Sequence, residues 1–214
     1  RWQGTSATVN VAEHSVALTL AANSGPLFRI GQVRIEGLAR FEETSVLNLL
    51  DFSPGQIYSE DLLAAWQRHL QRSELFEAAS VTLLVEPDHA GDATVLVKVK
   101  EHRLQQATVG IGYSTDTGPR MTLDHMHRLP FGWDVTVTNK LQIGGARNAW
   151  TGQVISHPLP NHYRDLVSAG YERLDLNDEL RTSASVRLGR TQDTDDFARQ
   201  YFVDTPLIAL VVGL

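Results

Sequence analysis

The feature that most constrains this 214-residue chain is a change of apolar period near Leu104. Beyond it helical spacing disappears, and segments of about ten residues alternate apolar and polar side chains between turns. Val109, Ile111 and Tyr113 alternate with Thr108, Gly110, Gly112 and Ser114. Asp116-Thr117-Gly118-Pro119 reads as a turn, and Met121 and Leu123 carry the next strand. Pro130 marks a reversal, and Phe131, Trp133, Val135 and Val137 alternate after it. Gly144-Gly145 turns again, a weaker strand runs from Ala149 to Ser156, and His157-Pro158-Leu159-Pro160-Asn161 breaks it. Val167, Ala169 and Tyr171 form the next strand; Leu180, Thr182, Ala184, Val186 and Leu188 form another. A period of two puts one apolar and one polar face on each strand. The count is about six strands. Their length and their polar face suit a membrane barrel, whose strands need about 9–11 residues and border a wet lumen. A soluble sandwich also buries an apolar face, so alternation alone leaves both architectures open.

The first half has a different grammar. Val33 and Ile35 alternate with Gln32, Arg34 and Glu36, which predicts a half-buried strand ended by Gly37. Glu42 and Glu43 suit the first turn of a helix, Val46, Leu47 and Leu50 supply its stripe, and Ser53-Pro54-Gly55 stops it. Ser59 is placed to cap a second helix with Leu62, Leu63, Trp66 and Leu70 on one face. Val81, Leu83 and Val85 predict a strand; Pro87-Asp88-His89-Ala90-Gly91-Asp92 is a turn; Val95, Val97 and Val99 predict another strand. The expected unit is β-α-α-β-β over residues 26–102. Residues 1–25 read as two strands, Thr8–Val11 and Val16–Leu20, turning near Glu13-His14 and set off by Gly25-Pro26. They match the last two strands of a preceding copy of that unit.

Composition narrows the function. Lys plus Arg is 19 against 25 Asp plus Glu, a net charge of −6, which argues against a nucleic-acid partner. With no cysteine, disulfide scaffolds and thiolate chemistry are excluded. Neither end carries a signal-peptide pattern, and the run Leu207–Leu214 is too short to cross a bilayer as a helix, so both ends are expected to be cuts in a longer protein.

The motifs at the junction carry a resemblance. Gly31-Gln32-Val33-Arg34-Ile35-Glu36-Gly37 looks like the opening strand of a POTRA domain. Ser53-Pro54-Gly55-Gln56-Ile57-Tyr58 resembles its Pro-Gly-x-x-Tyr inter-helix link, and Leu75-Phe76-Glu77 the Leu-Phe-x segment before its second strand. Gly110–Arg120 looks like the first barrel hairpin of the TamA family, within the BamA-type insertase superfamily. The resemblance implies an α+β POTRA domain followed by an antiparallel transmembrane β-barrel segment, partial and open here, over residues 103–214. It implies an outer-membrane factor that helps insert or secrete autotransporters and other barrel proteins, with its POTRA part in the periplasm of a Gram-negative bacterium. The implied partners are a TamB-like inner-membrane-anchored protein, unfolded outer-membrane clients and outer-membrane lipid; no cofactor is implied.

The first barrel strand is the candidate site: Val109, Gly110, Ile111, Gly112, Tyr113 and Ser114. Glycines weaken a strand, and a weak first strand makes a labile seam that could template an incoming strand. The plainer reading is that Gly110 and Gly112 only make room for bulky lumen side chains or a bend. His125-x-His127 lacks a third ligand at useful spacing, so no metal site is expected. Asp193-Thr194-Asp195-Asp196 lacks the glycine and distal glutamate of a calcium loop and reads as a solvated turn. Trp133 and Trp150 read as interfacial anchors, with ordinary core residues as the alternative. No nucleophile elbow, zinc-protease helix or phosphate loop occurs, so no enzyme is expected. The alternatives are a two-partner secretion pore and a soluble periplasmic POTRA-containing scaffold.

Overall fold

The computed structural model describes residues 2–10, 14–22, 26–115, 118–176, 179–195 and 197–213. Val11, Glu13, Gly25, Asp116, Thr117, Asp196 and Leu214, all used above, lie outside the described residues. Strands β1 (Trp2–Asn10) and β2 (Ser15–Ala22) form a separate two-stranded antiparallel sheet, with Val9 opposite Val16.

The next unit runs β3 (Ile30–Glu36), α1 (Thr44–Leu47), α2 (Glu60–Arg72), β4 (Phe76–Leu83) and β5 (Ala93–Glu101). β5 is central, parallel to β3 and antiparallel to β4. A parallel pair cannot be joined by a hairpin, and the two helices and β4 fill the long connection that separates β3 from β5. They pack on one face of the sheet. Trp66, Leu70, Val46, Ile30, Val95 and Val97 are buried there. The Trp66 ring meets Phe52 edge-on at 5.3 Å, and its Nε1–H donates to the Val46 carbonyl at 3.3 Å. Such a ring needs a partner for its polar edge when buried.

Three local expectations change. α1 is a single turn, so Leu47 is exposed while Leu49, absent from the predicted stripe, is buried. Ser59 stands at the N-cap of α2, but its hydroxyl makes no capping bond; Glu60 and Asp61 supply the negative charge of the first turn. Val85 lies past the end of β4 and is exposed.

The turn after β3 is held from the far end of β5. Gly37 adopts φ 96°, and a Cβ there would stand 2.0 Å from the Val99 carbonyl oxygen. The Glu101 carboxylate then accepts the backbone N–H groups of Ala39, Arg40 and Phe41 at 2.8, 2.8 and 3.0 Å, and Arg40 Nε at 2.8 Å. Burial pushes the Glu101 pKa up, but the three N–H donors and Arg40 outweigh it and hold the group at about 2, against 4.5 ordinarily.

Seven strands follow: β6 (Gln105–Ser114), β7 (Gly118–His127), β8 (Val135–Gly144), β9 (Arg147–Ser156), β10 (Tyr163–Leu176), β11 (Glu179–Asp193) and β12 (Ala198–Gly213). They form one open antiparallel sheet in sequence order, with β6 and β12 at its edges. β12 is the strand missed by the count of six. Asp204 and Pro206 interrupt its apolar pattern, and Pro206 is accommodated beside a register shift on an edge strand.

The registers sort the side chains. Val109, Leu123, Leu141, Trp150 and Tyr171 form one row across the sheet, and Val137, Val154, Val167, Leu188 and Val203 another. Members of both rows are exposed, an apolar band with no protein covering it among the described residues. The opposite face carries Asp124, Lys140 and Thr151, and the ion pairs Arg147–Glu172 and Arg187–Asp204 at 2.7 and 2.6 Å.

The Glu101 bonds set a pH dependence. A carboxylate held below its unfolded pKa stabilises the fold fully above about pH 4.5 and loses that contribution as pH falls towards 2. At 1.36 kcal/mol per pKa unit, the loss is roughly 3 kcal/mol. Urea unfolding of residues 26–102 between pH 6 and pH 2 should show it, and Glu101→Gln should flatten that part of the profile while lowering stability at pH 6.

Candidate functional site

The sheet edge is the first candidate. β6 pairs only with β7, and no described strand borders its other side. Ile111 and Tyr113 are 89% and 77% exposed, and Val109 is exposed beside them. Gly110 and Gly112 lie on the polar face opposite Thr122 and Arg120. A Cβ at Gly110 would stand 2.6 Å from Thr122 Oγ1, and one at Gly112 would stand 3.1 Å from Arg120 Nε. The space the glycines leave is therefore taken up by side chains of β7. Ser114 closes the strand opposite Gly118. β6 thus presents an apolar side to one surface, and its other surface is roofed by its neighbour.

The second candidate is the seam between the β-α-α-β-β unit and the sheet. The connections after β7, β9 and β11 lie at the end of the sheet next to that unit. Arg128, buried, donates from Nε to the Glu74 carbonyl and from Nη1 to the Arg103 carbonyl, both at 2.8 Å. Arg164 Nη2 donates to the Ser73 carbonyl and Asn48 Nδ2 to the Pro158 carbonyl, also at 2.8 Å. His157 packs edge-on to Phe41 and hydrogen-bonds the Arg128 carbonyl through Nε2 at 2.7 Å. Burial pushes the His157 pKa down, outweighing the Arg128 carbonyl and Asp134, so the ring is held neutral.

A cluster lies in the same seam. His69 of α2 has Asp51 Oδ2 at 2.8 Å from Nδ1 and Asp195 Oδ1 at 3.1 Å from Nε2. His162 Nε2 bonds Asp51 Oδ1 at 2.5 Å. Asp195 is also held by Arg68 Nη2 at 2.8 Å, so the turn read as solvated docks on α2. Sequence reasoning missed this group, because its members lie in three separate connections and one helix. No local spacing in the sequence signals the group; in the structure Asn161 and His162, just after Pro160, adopt φ of 61° and 62°. His125 and His127, the pair weighed from sequence, sit on β7 opposite Asn139 and Val137; His127 Nδ1 accepts the Leu129 N–H at 3.2 Å.

Trp133 and Trp150 are both exposed on the flank of the sheet, Trp133 in the connection before β8 and Trp150 near the far end of β9. Trp133 pairs with the exposed Phe131 at 5.8 Å between ring centroids. No helix among the described residues is long and apolar enough to cross a membrane, which leaves strands as the elements that could.

Residues 28–102 match the POTRA family, described as surface antigen variable number repeat, and that segment is a POTRA domain. The chain as a whole is similar to a solved structure of BamA from Haemophilus ducreyi lacking POTRA domains 1–3, with a TM-score of 0.72 at 12% identity, covering 95% of this chain and 39% of that one. It is also similar to CdiB from Acinetobacter baumannii, with a TM-score of 0.57 at 11% identity over 95% of this chain and 43% of that one. CdiB from Escherichia coli gives 0.53 at 13% identity over 97% and 44%. The chain thus spans about two fifths of the length of the structures it matches. The fold is that of a POTRA domain followed by a partial BamA-like barrel, open along both edges.

The two faces of the sheet make opposite predictions for a buried charge. Leu141→Arg, on the apolar face, should destabilise the protein in a lipid bilayer by about 2–4 kcal/mol, whereas Gln142→Arg, one residue on and facing the other way, should cost under about 1 kcal/mol. Denaturant unfolding in phospholipid vesicles, followed by tryptophan emission, reads the difference.

Proposed function

We propose that this chain is part of an outer-membrane assembly and translocation factor of the TamA type, within the BamA-type insertase superfamily, which helps insert or secrete autotransporters and other barrel proteins. The observation that carries the reading is the free edge strand β6 directly after a POTRA domain, at the start of a sheet with an uncovered apolar band. In lipid every backbone polar group needs a protein partner, so that sheet must be completed by further strands. Residues 1–25 are the end of a preceding POTRA domain, residues 26–102 the POTRA domain next to the membrane, and residues 103–214 the first part of the barrel. POTRA lies in the periplasm of a Gram-negative bacterium, and the barrel in its outer membrane.

The mechanism uses backbone pairing rather than bond chemistry. In the closed barrel β6 meets the last strand, and Gly110 and Gly112 contribute no side chain to that pairing. An incoming client strand replaces the last strand at β6 by β-augmentation through the backbone groups of Val109–Tyr113. The apolar side chains Val109, Ile111 and Tyr113 face lipid throughout, so the exchange moves no charge into the bilayer. The protein carries no catalytic role in this reading. A TamB-like inner-membrane-anchored partner docks from the periplasmic side, and outer-membrane lipid surrounds the apolar band.

A two-partner secretion pore of the same superfamily is the second reading, favoured by the likeness to the two CdiB structures. Its TM-scores are lower than the one against BamA, which supports the assembly reading. A soluble periplasmic scaffold would leave the apolar band facing water, against the usual limit on exposed apolar patches.

Disulfide crosslinking in the complete protein tests the proposal. Single cysteines at Ile111 and Tyr113 should crosslink to a cysteine in the last strand of an autotransporter client, with two-residue periodicity along β6. Crosslinks confined to β4 of the POTRA domain, with none along β6, would move client binding to the periplasmic unit and contradict it.

A further inference from the structure

We infer that Asp51, His69 and His162 form a binding site for a divalent transition metal of the zinc class, which ties the POTRA domain to the base of the barrel. The three residues come from the connection after α1, from α2 and from the connection between β9 and β10. Each offers one ligand atom, and these atoms all lie within 4.8 Å of one another. Two imidazoles and a carboxylate are a donor set that zinc takes with a fourth position open.

Three details separate this group from an ordinary ion-pair cluster. His69 and His162 are 4% and 7% exposed, deeper than the intermediate burial usual for histidine. His69 Nδ1 has an Asp51 oxygen at 2.8 Å and yet makes no hydrogen bond, because that oxygen lies off the direction of a ring N–H. A co-ligand stands in such a place, since two ligands of one metal lie at an angle to each other and not in line. His69 Nε2 meets Asp195 at 3.1 Å, and Arg68 holds Asp195. A metal-bound histidine commonly gives its second N–H to a carboxylate in this way, which fixes the ring and raises its basicity.

The backbone agrees. Asn161 and His162 hold φ of 61° and 62°, a costly conformation for two consecutive non-glycine residues. It turns His162 towards α2. A cavity of about 390 Å³ borders both histidines and gives a route for the ion and for a water at the open position. Binding requires only that the proton between His162 Nε2 and Asp51 be replaced, with the ligand atoms opening to the roughly 3.2–3.4 Å edge of a tetrahedron built on bonds of about 2.0 Å. The consequence is mechanical. Asp51 and His69 belong to the POTRA domain and His162 to the barrel, so the metal sets the angle between them.

The test uses the complete protein in detergent, stripped with chelator and titrated with Zn²⁺ alone by calorimetry. One equivalent should bind with micromolar or tighter affinity and raise the melting temperature. His69→Gln and His162→Gln should each abolish that equivalent; Asp195→Asn should weaken it by about 10–100-fold. The double variant His125→Gln/His127→Gln should leave it unchanged. Co²⁺ added to the unaltered protein should give the intense visible absorption of a tetrahedral site, a readout that survives even if a variant fails to fold. Weak octahedral Co²⁺ absorption, retention of the Zn²⁺ equivalent in His162→Gln, or its loss only in the His125/His127 variant would overturn the site. So would a melting temperature that moves with pH and not with Zn²⁺, which would make the cluster a proton-linked clasp. None of these readouts depends on client insertion, so the metal site and the proposed function can fail separately.

Discussion

An unpaired backbone N–H or C=O has nowhere to go in hydrocarbon, and in the proposed membrane setting the architecture of the second half follows from that. Five of the seven strands are paired on both sides, leaving β6 and β12 as edges. The apolar band that crosses all seven strands needs lipid or protein against it, and the two edges need strands. In the proposed role both demands are met by completing the barrel, and the edge nearest the POTRA domain is where completion can be undone. At Gly110 and Gly112, Thr122 and Arg120 fill the polar side of β6, so there its lateral hold depends on backbone pairing and on the apolar side chains of Val109, Ile111 and Tyr113 that face outward.

The POTRA domain is not tethered loosely to this sheet. Arg128 grips the carbonyls of Glu74 and Arg103, one after α2 and one in the link to β6, and Arg164 reaches Ser73. Carbonyl acceptors satisfy these guanidinium groups without the desolvation cost of a second buried ion. The Glu101 knot lies just ahead of the link, where Arg40 also reaches the His102 carbonyl. The path from the POTRA core through β5 into β6 is therefore braced on both sides.

Much of this was legible from side-chain period. Val95, Val97 and Val99 alternate cleanly because β5 is central, with one face on the helices, and Leu63, Trp66 and Leu70 mark the buried face of α2. The strands of the second half were readable for the same reason: one apolar and one polar face impose opposite polarity on successive residues. Three things were not legible. α1 is too short to express a helical period, so Leu47 and Leu49 exchanged places. β12 carries Asp204 and Pro206, which an edge strand tolerates and a central one would not. The His69–Asp51–His162 cluster depends on contacts between distant connections, and no local spacing records those.

The central claim is that β6 is a weakly held seam within an otherwise fully paired barrel. Backbone hydrogen exchange of the complete protein in lipid nanodiscs tests it most directly. The account predicts that amides of Val109–Tyr113 exchange about tenfold or more faster than those of β8 and β9, which are paired on both sides. Equal, slow exchange across β6, β8 and β9 would mean a uniformly closed barrel, and would contradict it.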